Sequence, residues 1–238
     1  MQHTCACVSM NFTIFIARKD RWDKLDDVLK KRKKSQTVET CGFSYVSWSD
    51  VVAIFGHIHE LHISEQELPA SIKVDDLMKV IENYNNLTTG SDVTELQVFL
   101  FINAVICHIC SGFQDLQFNY ERDVTGSYVL ASGRFELVMI NKKTQKTICL
   151  SEAKKLDLEQ GAAQCLVGCE TISDQEGSNV VYGIVSSYFK WIFYASKNDG
   201  IYRHATTSIG CNGFYPNSRE QFELLLKDIY SFIFMVLA

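Results

Sequence analysis

The chain has 238 residues, 47% of them hydrophobic, so it can bury one good core, as one large domain or as a core with a small appendage. Its 23 basic and 28 acidic residues give a net charge of −5, which excludes a global attraction to nucleic acid or to an anionic membrane. Any polyanion binding must therefore be local, and no run reaches the roughly 18–20 apolar residues that would span a bilayer.

The first 64 residues differ in pattern from the rest, and we assign them to an N-terminal accessory region of unknown role that precedes a main domain at residues 65–238. "FTIFIA" (residues 12–17) predicts a short strand, and a charged helical stretch follows from Asp20. The basic run Lys30 to Lys34 has two interpretations: a solvated helix end, or a nuclear-localisation or phosphate-contacting patch. "FSYVSW" and "SDVVAIFGHIHELHI" then predict a strand and a short helix.

Two helices come next. "SIKVDDLMKVIENYNNL" carries apolar residues at helical spacing. The second helix has an acidic capping pair, Asp92 with Glu95, and runs to about Gly112. It is apolar nearly all round, which predicts burial on most faces. Glu95 either places a carboxylate on a core-facing stripe or, as a first-turn residue, stabilises the helix N-terminus.

The remaining elements alternate between strands and helices. "LQFNYERDV", "SYVLAS" and "FELVMI" predict strands, and the turn "NKKTQK" leads back into "TICLSEAK" as a hairpin. "LEQGAAQCLVGCETI" predicts a helix, "NVVYGIVSS" and "FKWIFYAS" predict a second hairpin, and Ser218 with Gln221 opens the last helix as a capping box. The order predicts a mixed α/β fold, a sheet flanked by helices. The apolar run "YSFIFMVLA" in the last helix predicts a homodimer surface.

The strand that ends in "SEAK" carries an unusual pair of charges. Because a strand alternates its faces, Glu152 and Lys154 point to one side, about 7 Å apart. Hairpin pairing can lay Glu136 beside Glu152, and two adjacent carboxylates repel each other unless a cation such as Mg²⁺ or Mn²⁺ sits between them. The following helix places Gln160 and Gln164 on one face, able to point over this strand end. The alternative is a surface Glu–Lys pair on an edge strand.

Histidines and cysteines offer further candidates. His57, His59 and His62 lie within six residues and could bind zinc, or could be polar residues on a short amphipathic element. Cys107 and Cys110 have the spacing of a redox motif, but their place inside a buried helix favours core packing. The odd total of nine cysteines, mostly in apolar runs, and the absence of a signal-peptide pattern predict reduced thiols inside a cell.

The motifs "GRFELVMI", "ICLSEAKK" and "LEQGAAQ" resemble the PD-(D/E)XK nuclease-like superfamily. The later run "VVYGIVSSYFKWIFYAS" resembles the version of that domain found in Crinkler effector proteins. The resemblance covers residues 90–236. It implies a restriction-endonuclease-like α-β-β-β-α-β core and a metal-dependent endonuclease that hydrolyses phosphodiester bonds.

The resemblance also implies roles for individual residues. Glu136 and Glu152 would ligate Mg²⁺ or Mn²⁺, with the backbone carbonyl of Ala153 as a further ligand. Lys154 would orient or deprotonate the attacking water and stabilise charge that develops on the phosphate.

Two more residues would complete that site. Gln164 would position water or a phosphate oxygen, and Glu95 matches the helix-borne glutamate of many members. The first acid of the motif is usually aspartate, whereas Glu136 is one methylene longer. A second hypothesis is therefore a nuclease-derived effector module that engages nucleic acid or a host protein without cutting.

The expected partner is nucleic acid, DNA before RNA, and no membrane. The turn "NKKTQK" concentrates positive charge in an otherwise acidic chain, and we expect this turn to lie near the site and to make local phosphate contacts. A secreted effector that acts in a host nucleus is a further expectation, consistent with the basic run at Lys30 to Lys34. The predicted nucleic-acid contacts are Lys142, Lys143, Lys146, Lys155 and Lys190.

Overall fold

The computed structural model describes residues 4–32, 40–87 and 93–238. Within these ranges the chain forms six α-helices around one large mixed sheet, so the predicted mixed α/β fold with flanking helices is confirmed. None of these helices is long and apolar enough to cross a membrane. The helices are α1 (Thr4–Arg32), α2 (Trp48–Phe55), α3 (Val74–Leu87), α4 (Glu95–Cys110), α5 (Leu158–Glu176) and α6 (Arg219–Leu237).

Ten strands are present in the described residues. Eight of them form the main sheet in the order β1-β4-β5-β6-β7-β8-β2, with β3 paired to β4, and β9 and β10 form a separate ribbon. The strands are β1 (Cys41–Gly42), β2 (Ile58–Glu60), β3 (Leu116–Thr125), β4 (Ala131–Asn141), β5 (Thr147–Ala153), β6 (Val180–Ser186), β7 (Trp191–Lys197), β8 (Gly200–Ala205), β9 (Cys211–Asn212) and β10 (Tyr215–Pro216).

The predicted hairpins are confirmed, since β4 pairs with β5 and β6 pairs with β7, both antiparallel. Strands β5 and β6 are parallel neighbours connected through α5. The chain therefore runs α4-β3-β4-β5-α5-β6, the predicted order of helices and strands. "SYVLAS" is mostly the turn between β3 and β4, because β4 begins only at Ala131.

Each face of the sheet carries its own hydrophobic core. Helices α3, α4 and α6 pack on one face, with buried residues such as Ile102, Leu137 and Phe232. Helices α1, α2 and α5 cover the other face, where Leu25 and Phe135 are buried. A sheet covered on both sides explains why its central strands are apolar along almost their whole length.

The N-terminal region differs from the prediction. Residues 12–17 lie within the continuous helix α1, so the predicted strand there is wrong. Strand propensity is a weak preference that context overrides, and this segment continues directly into the charged helical stretch from Asp20. Lys30, Lys31 and Arg32 end α1, where cations interact favourably with the helix dipole. Lys33 and Lys34 lie outside the described residues.

Residues 40–64 join the main sheet. β1 pairs in parallel with β4 through Cys41 and Ala131, and β2 pairs in parallel with β8 through His59 and Tyr202. "FSYVSW" is a 3₁₀ turn, Phe43–Tyr45, followed by α2 rather than a strand. Whether residues 65–238 fold as a domain of their own stays a prediction.

Two predictions about helix ends have different outcomes. Asp92 lies outside the described residues, and Thr94 caps α4 instead, accepting the N–H of Gln97. At the start of α6, Ser218 accepts the N–H of Gln221 as predicted. The apolar run at the end of α6 is partly accounted for within the chain, since Phe232 is fully buried, whereas Phe234 remains 44% exposed. The homodimer stays a prediction.

Candidate active site

The charged end of β5 lies in the middle of the sheet rather than at an edge. β5 runs between β4 and β6, and Glu152 is only 7% exposed. The β4–β5 register pairs Leu137 with Ser151, so Glu136 and Glu152 occupy the next position on each strand. Glu136 Oε2 accepts the backbone N–H of Ala153 at 3.0 Å. The hairpin therefore brings the two glutamates to neighbouring positions.

Lys154 bridges the sheet and helix α4. Its Nζ lies 2.9 Å from Glu152 Oε1 and 3.4 Å from Glu95 Oε1. Glu95 is exposed in the first turn of α4, so it is at the helix N-terminus and also reaches the site. The interpretation that puts Glu95 on a core-facing stripe is therefore wrong, but its place in the first turn still lets three of the predicted side chains meet at one point.

Burial perturbs the ionisation of this group. It raises the pKa of Glu136 to about 7, aided by the charge of Glu152 and opposed by the N–H of Ala153. Burial also raises the pKa of Glu152, although Lys154 offsets part of this effect. For Lys154, burial lowers the pKa, but the ion pair with Glu152 outweighs it and the net shift is upward. Two carboxylates that resist ionisation would gain from a nearby cation.

The backbone is irregular where β4 carries Glu136. Phe135 packs on the α5 face and Leu137 on the opposite face, although residues two apart in a strand normally share a face. In the neighbouring strand β3, Glu121 adopts a left-handed conformation with φ of 52° between two regular ladder pairs. Such irregularities re-aim side chains and concentrate next to active sites.

The two glutamines of α5 behave differently. Gln164 Oε1 is buried without a hydrogen-bond partner, and it lines a cavity together with Glu152. Gln160 instead donates its side-chain N–H to the backbone carbonyls of Ser44 and Val46. An orphaned acceptor costs free energy unless a ligand or water occupies the site. Gln164 is thus near the site as predicted, whereas Gln160 holds the N-terminal segment.

The donor set is suited to a hard cation. Two carboxylates and one amide oxygen are the oxygen ligands that Mg²⁺ and Mn²⁺ prefer. Within residues 4–32, 40–87 and 93–238, however, no three His, Cys, Asp or Glu side chains are close enough together to hold a metal ion. The described histidine cluster is no such metal group either. The ring centroids of His57 and His59 lie 4.8 Å apart, and the His59 ring packs on Tyr202.

Of the two cysteines of α4, Cys110 is part of the core, whereas Cys107 is half-buried. Cys110 is buried, and burial raises its pKa well above the usual thiol value. Cys107 lies near the amide of Asn103 and the hydroxyl of Tyr120. A thiol with a raised pKa is a poor nucleophile, which agrees with the packing interpretation.

The structure separates the five predicted lysine contacts into two groups. Lys155 follows Lys154 directly, and Lys190 lies in the turn after β6, whose last residue Ser186 accepts the N–H of Lys154. The other three lie in the β4–β5 turn, about 17 Å from Glu152 along β5 at roughly 3.4 Å per residue. The expectation that this turn lies near the site is therefore wrong, because the turn and Glu152 are at opposite ends of β5.

Two of the turn lysines also have partners. Lys142 donates to the carbonyl of Gln114, and Lys143 pairs with Asp115 at 2.6 Å. Nucleic-acid binding by any of the five lysines stays a prediction.

Sequence reasoning missed two residues that line the cavity beside Glu152: Arg134 and Ser44. Arg134 stands in the "GRFE" motif, two residues before Glu136. That proximity was a signal that could have identified it. Ser44 had no such signal, since only the pairing of β1 with β4 brings it to the site.

The chain is 30% identical over 227 residues to Crinkler effector protein 5 of Phytophthora infestans. The alignment covers 91% of this chain, and the chain spans only 62% of that protein's length. No protein-family model matches the chain, and no solved structure matches it. The similarity supports the resemblance to Crinkler effectors, whereas membership of the PD-(D/E)XK superfamily stays a prediction.

Proposed function

We propose that this chain is a Crinkler-type effector module that hydrolyses phosphodiester bonds of nucleic acid with the aid of Mg²⁺ or Mn²⁺. The observation that carries the proposal is the meeting of Glu136, in the middle of β4, with Glu152 and Lys154 at the end of β5. Compared with apolar residues of similar volume, an ion pair buried in a sheet adds little to stability, which makes a chemical role the better reason for its presence. The similarity to a protein named as a Crinkler effector supports the proposal that this chain is an effector module.

Glu136, Glu152 and the carbonyl of Ala153 would hold the metal ion, with Glu95 nearby. A bound ion would act as a Lewis acid on the phosphate and make a hydroxide available near neutral pH. Because the pKa of Glu136 is raised to about 7, its carboxyl would become a negatively charged metal ligand only as the pH rises through neutrality.

The other side chains would act on the water and the phosphate. The ammonium of Lys154 would stabilise negative charge on the phosphate oxygens, since a preorganised cation in a shielded site needs little rearrangement. Glu95 would help to orient Lys154. The free Oε1 of Gln164 would accept a hydrogen bond from the attacking water and hold it in place.

A module that binds without cutting is the second candidate. Lys154 already neutralises Glu152 at 2.9 Å, and no three-ligand metal group occurs in the described part of the chain. The longer side chain of Glu136, in place of the usual aspartate, points the same way. Such a module would engage nucleic acid, DNA before RNA, or a host protein, inside a host cell.

A digestion assay tests the first candidate. Plasmid DNA and RNA are incubated with the protein in Mg²⁺, Mn²⁺ or EDTA, and the double variant Glu152→Gln/Lys154→Met is compared with wild type. Removing the site should reduce metal-dependent cleavage by about 10²-fold or more, the contribution typical of acid–base groups. Glu67→Gln/Lys227→Met removes a pair of similar length, 2.7 Å, between the exposed Glu67 and the half-buried Lys227, and should cleave like wild type.

Thermal unfolding with and without Mn²⁺ separates the two candidates. A ligand that binds only the folded state raises the unfolding temperature. We expect Mn²⁺ to stabilise wild type but not Glu152→Gln. Cleavage that survives in the double variant would rule out this site, and absence of both cleavage and metal stabilisation would favour the second candidate.

A further inference from the structure

A cavity of about 200 Å³ lies beside Glu152 and Gln164. Part of its wall comes from the segment Gly42–Ser44, which belongs to the region without a predicted role, and another part comes from Ser132–Phe135 of β4. Pockets for whole small molecules measure roughly 300–1,000 Å³. This smaller cavity suits a phosphate group better than a base with its sugar.

The N-terminal wall is held firmly against the sheet. The Phe43 ring packs on Phe135 at a centroid distance of 5.3 Å. Gly133 makes this contact possible, because a Cβ at that position would lie 2.3 Å from the Phe43 ring. From α5, Gln160 donates to the carbonyls of Ser44 and Val46 at 3.3 and 3.1 Å. The wall is therefore formed before any ligand arrives.

The polar groups of the cavity suit an anion. Arg134 is the cation among its lining residues, and its side chain is 58% exposed. Its guanidinium donates two hydrogen bonds to Asp123, at 3.0 and 3.3 Å, and one to Glu121 at 3.5 Å, so a phosphate would have to displace these two exposed carboxylates. The exposed Ser44 adds a hydroxyl donor. Glu152 does not oppose an anion strongly, since Lys154 neutralises it.

We propose that this cavity binds a phosphate of the nucleic-acid backbone, with Arg134 as its cationic contact and Ser44 as a hydroxyl donor. The proposal rests on the proposed function only in taking nucleic acid as the ligand. Arginine suits the role because its planar guanidinium can donate two parallel hydrogen bonds to a phosphate. The N-terminal segment thereby becomes part of the substrate site.

Binding of a short fluorescent oligothymidylate, measured by anisotropy in EDTA at several salt concentrations, tests the proposal without any cleavage. Arg134→Ala should weaken binding about tenfold, the effect of one charge-assisted contact. It should also reduce the slope of log affinity against log salt by about 0.7, the value for one phosphate contact on a single strand. Ser44→Glu places a negative charge in the cavity at an exposed position and should weaken binding at least as much.

Arg219→Ala is the matched control, because Arg219 is a similarly exposed arginine with two carboxylate partners, Asp75 and Glu223. It should leave affinity and salt slope unchanged. The proposal is overturned if wild type binds no oligothymidylate, or if Arg134→Ala behaves like Arg219→Ala. If binding depends on Arg134 but the protein cleaves no nucleic acid, phosphate binding in the cavity would be supported and the proposed nuclease activity would be refuted.

Discussion

Glu136 couples the candidate site to stability. Its pKa of about 7 in the folded protein lies above the usual glutamate value of about 4.3, because the carboxyl is partly buried beside Glu152. The folded state therefore holds this proton more tightly than the unfolded state does. The stabilisation that this bound proton gives the folded state is complete below the pKa of the unfolded glutamate and is lost as the pH rises through the folded pKa of about 7. An ionised Glu136 consequently weakens the fold at alkaline pH, as is common for functional residues.

Replacing Glu136 by glutamine should remove this dependence. We expect Glu136→Gln to unfold at a higher temperature than wild type at pH 8.5, by a few degrees, and to lose that advantage at pH 5. Thermal unfolding followed by circular dichroism at both pH values measures the difference. Glu82→Gln, on the exposed side of α3, should follow wild type at both. If the unfolding temperatures of Glu136→Gln and wild type differ by the same amount at both pH values, ionisation of Glu136 does not destabilise the fold.

At the scale of elements, helix α5 lies close to the sheet through two glycines. A Cβ at Gly161 would lie 2.7 Å from Lys154 Cγ and 3.0 Å from Val185 Cγ1. A Cβ at Gly168 would lie 2.1 Å from Cζ of the buried Phe135 ring. The first glycine thus makes room for a flexible side chain of the site, whereas the second makes room for the core.

The two glycines should therefore respond differently to alanine. Gly168→Ala forces the Phe135 ring to move and should cost about 1–3 kcal/mol of unfolding free energy, as overpacking does. Gly161→Ala displaces the Lys154 stem, while alanine favours the helix by about 0.5–1 kcal/mol, so stability should stay near wild type. Its cleavage rate should fall about tenfold or more, since small misplacements of catalytic groups are costly.

Urea unfolding and the digestion assay measure both effects. Each variant serves as the control of the other, because both add one methyl group to the same helix. Wild-type cleavage by Gly161→Ala would indicate that the position of Lys154 is not critical.

At the scale of the molecule, a buried ionic cluster attaches α1 to the main sheet. Glu170 of α5 is fully buried and binds Arg18 at 3.2 Å and Arg21 at 3.3 Å. Arg18 also donates to the carbonyl of Ser178 and to that of Ser196 on β7. Burial alone would raise the pKa of Glu170, but the two arginines and the Ser196 hydroxyl hold it below its usual value.

Glu170→Gln should therefore destabilise the whole chain. It leaves buried arginines without a counter-charge, at a cost of about 3–5 kcal/mol. Since the pKa of Glu170 is lowered on folding, its contribution is complete above the unfolded value of about 4.3 and is lost as pH falls through the lower folded pKa. Wild type and variant should thus converge in stability only in acid, which urea unfolding across pH can measure.

Glu223→Gln is the control, since it removes an exposed pair with Arg219 and should change stability by less than about 0.5 kcal/mol. A similarly small change for Glu170→Gln would contradict an energetic role for the buried cluster.

Prediction from the sequence succeeded where local pattern decides structure. The strands β4 and β5, helix α5 and the Ser218 cap were all identified from periodicity and capping residues. It failed where distant residues decide. Residues 12–17 resemble a strand but continue α1, and the β4–β5 turn is far from Glu152 although it is close in sequence.

The sequence by itself determined the fold class and placed Glu136, Glu152 and Lys154 near one another, because a hairpin fixes its register and faces through neighbouring residues. Only the tertiary structure decided that Glu95 reaches Lys154, that Ser44 and Arg134 share a cavity with Glu152, and that α1 is held by Glu170. These contacts join residues that are far apart in the sequence. Arg18 and Glu170, for example, are separated by 152 positions. Their formation depends on the packing of whole elements, which no local pattern of residues encodes.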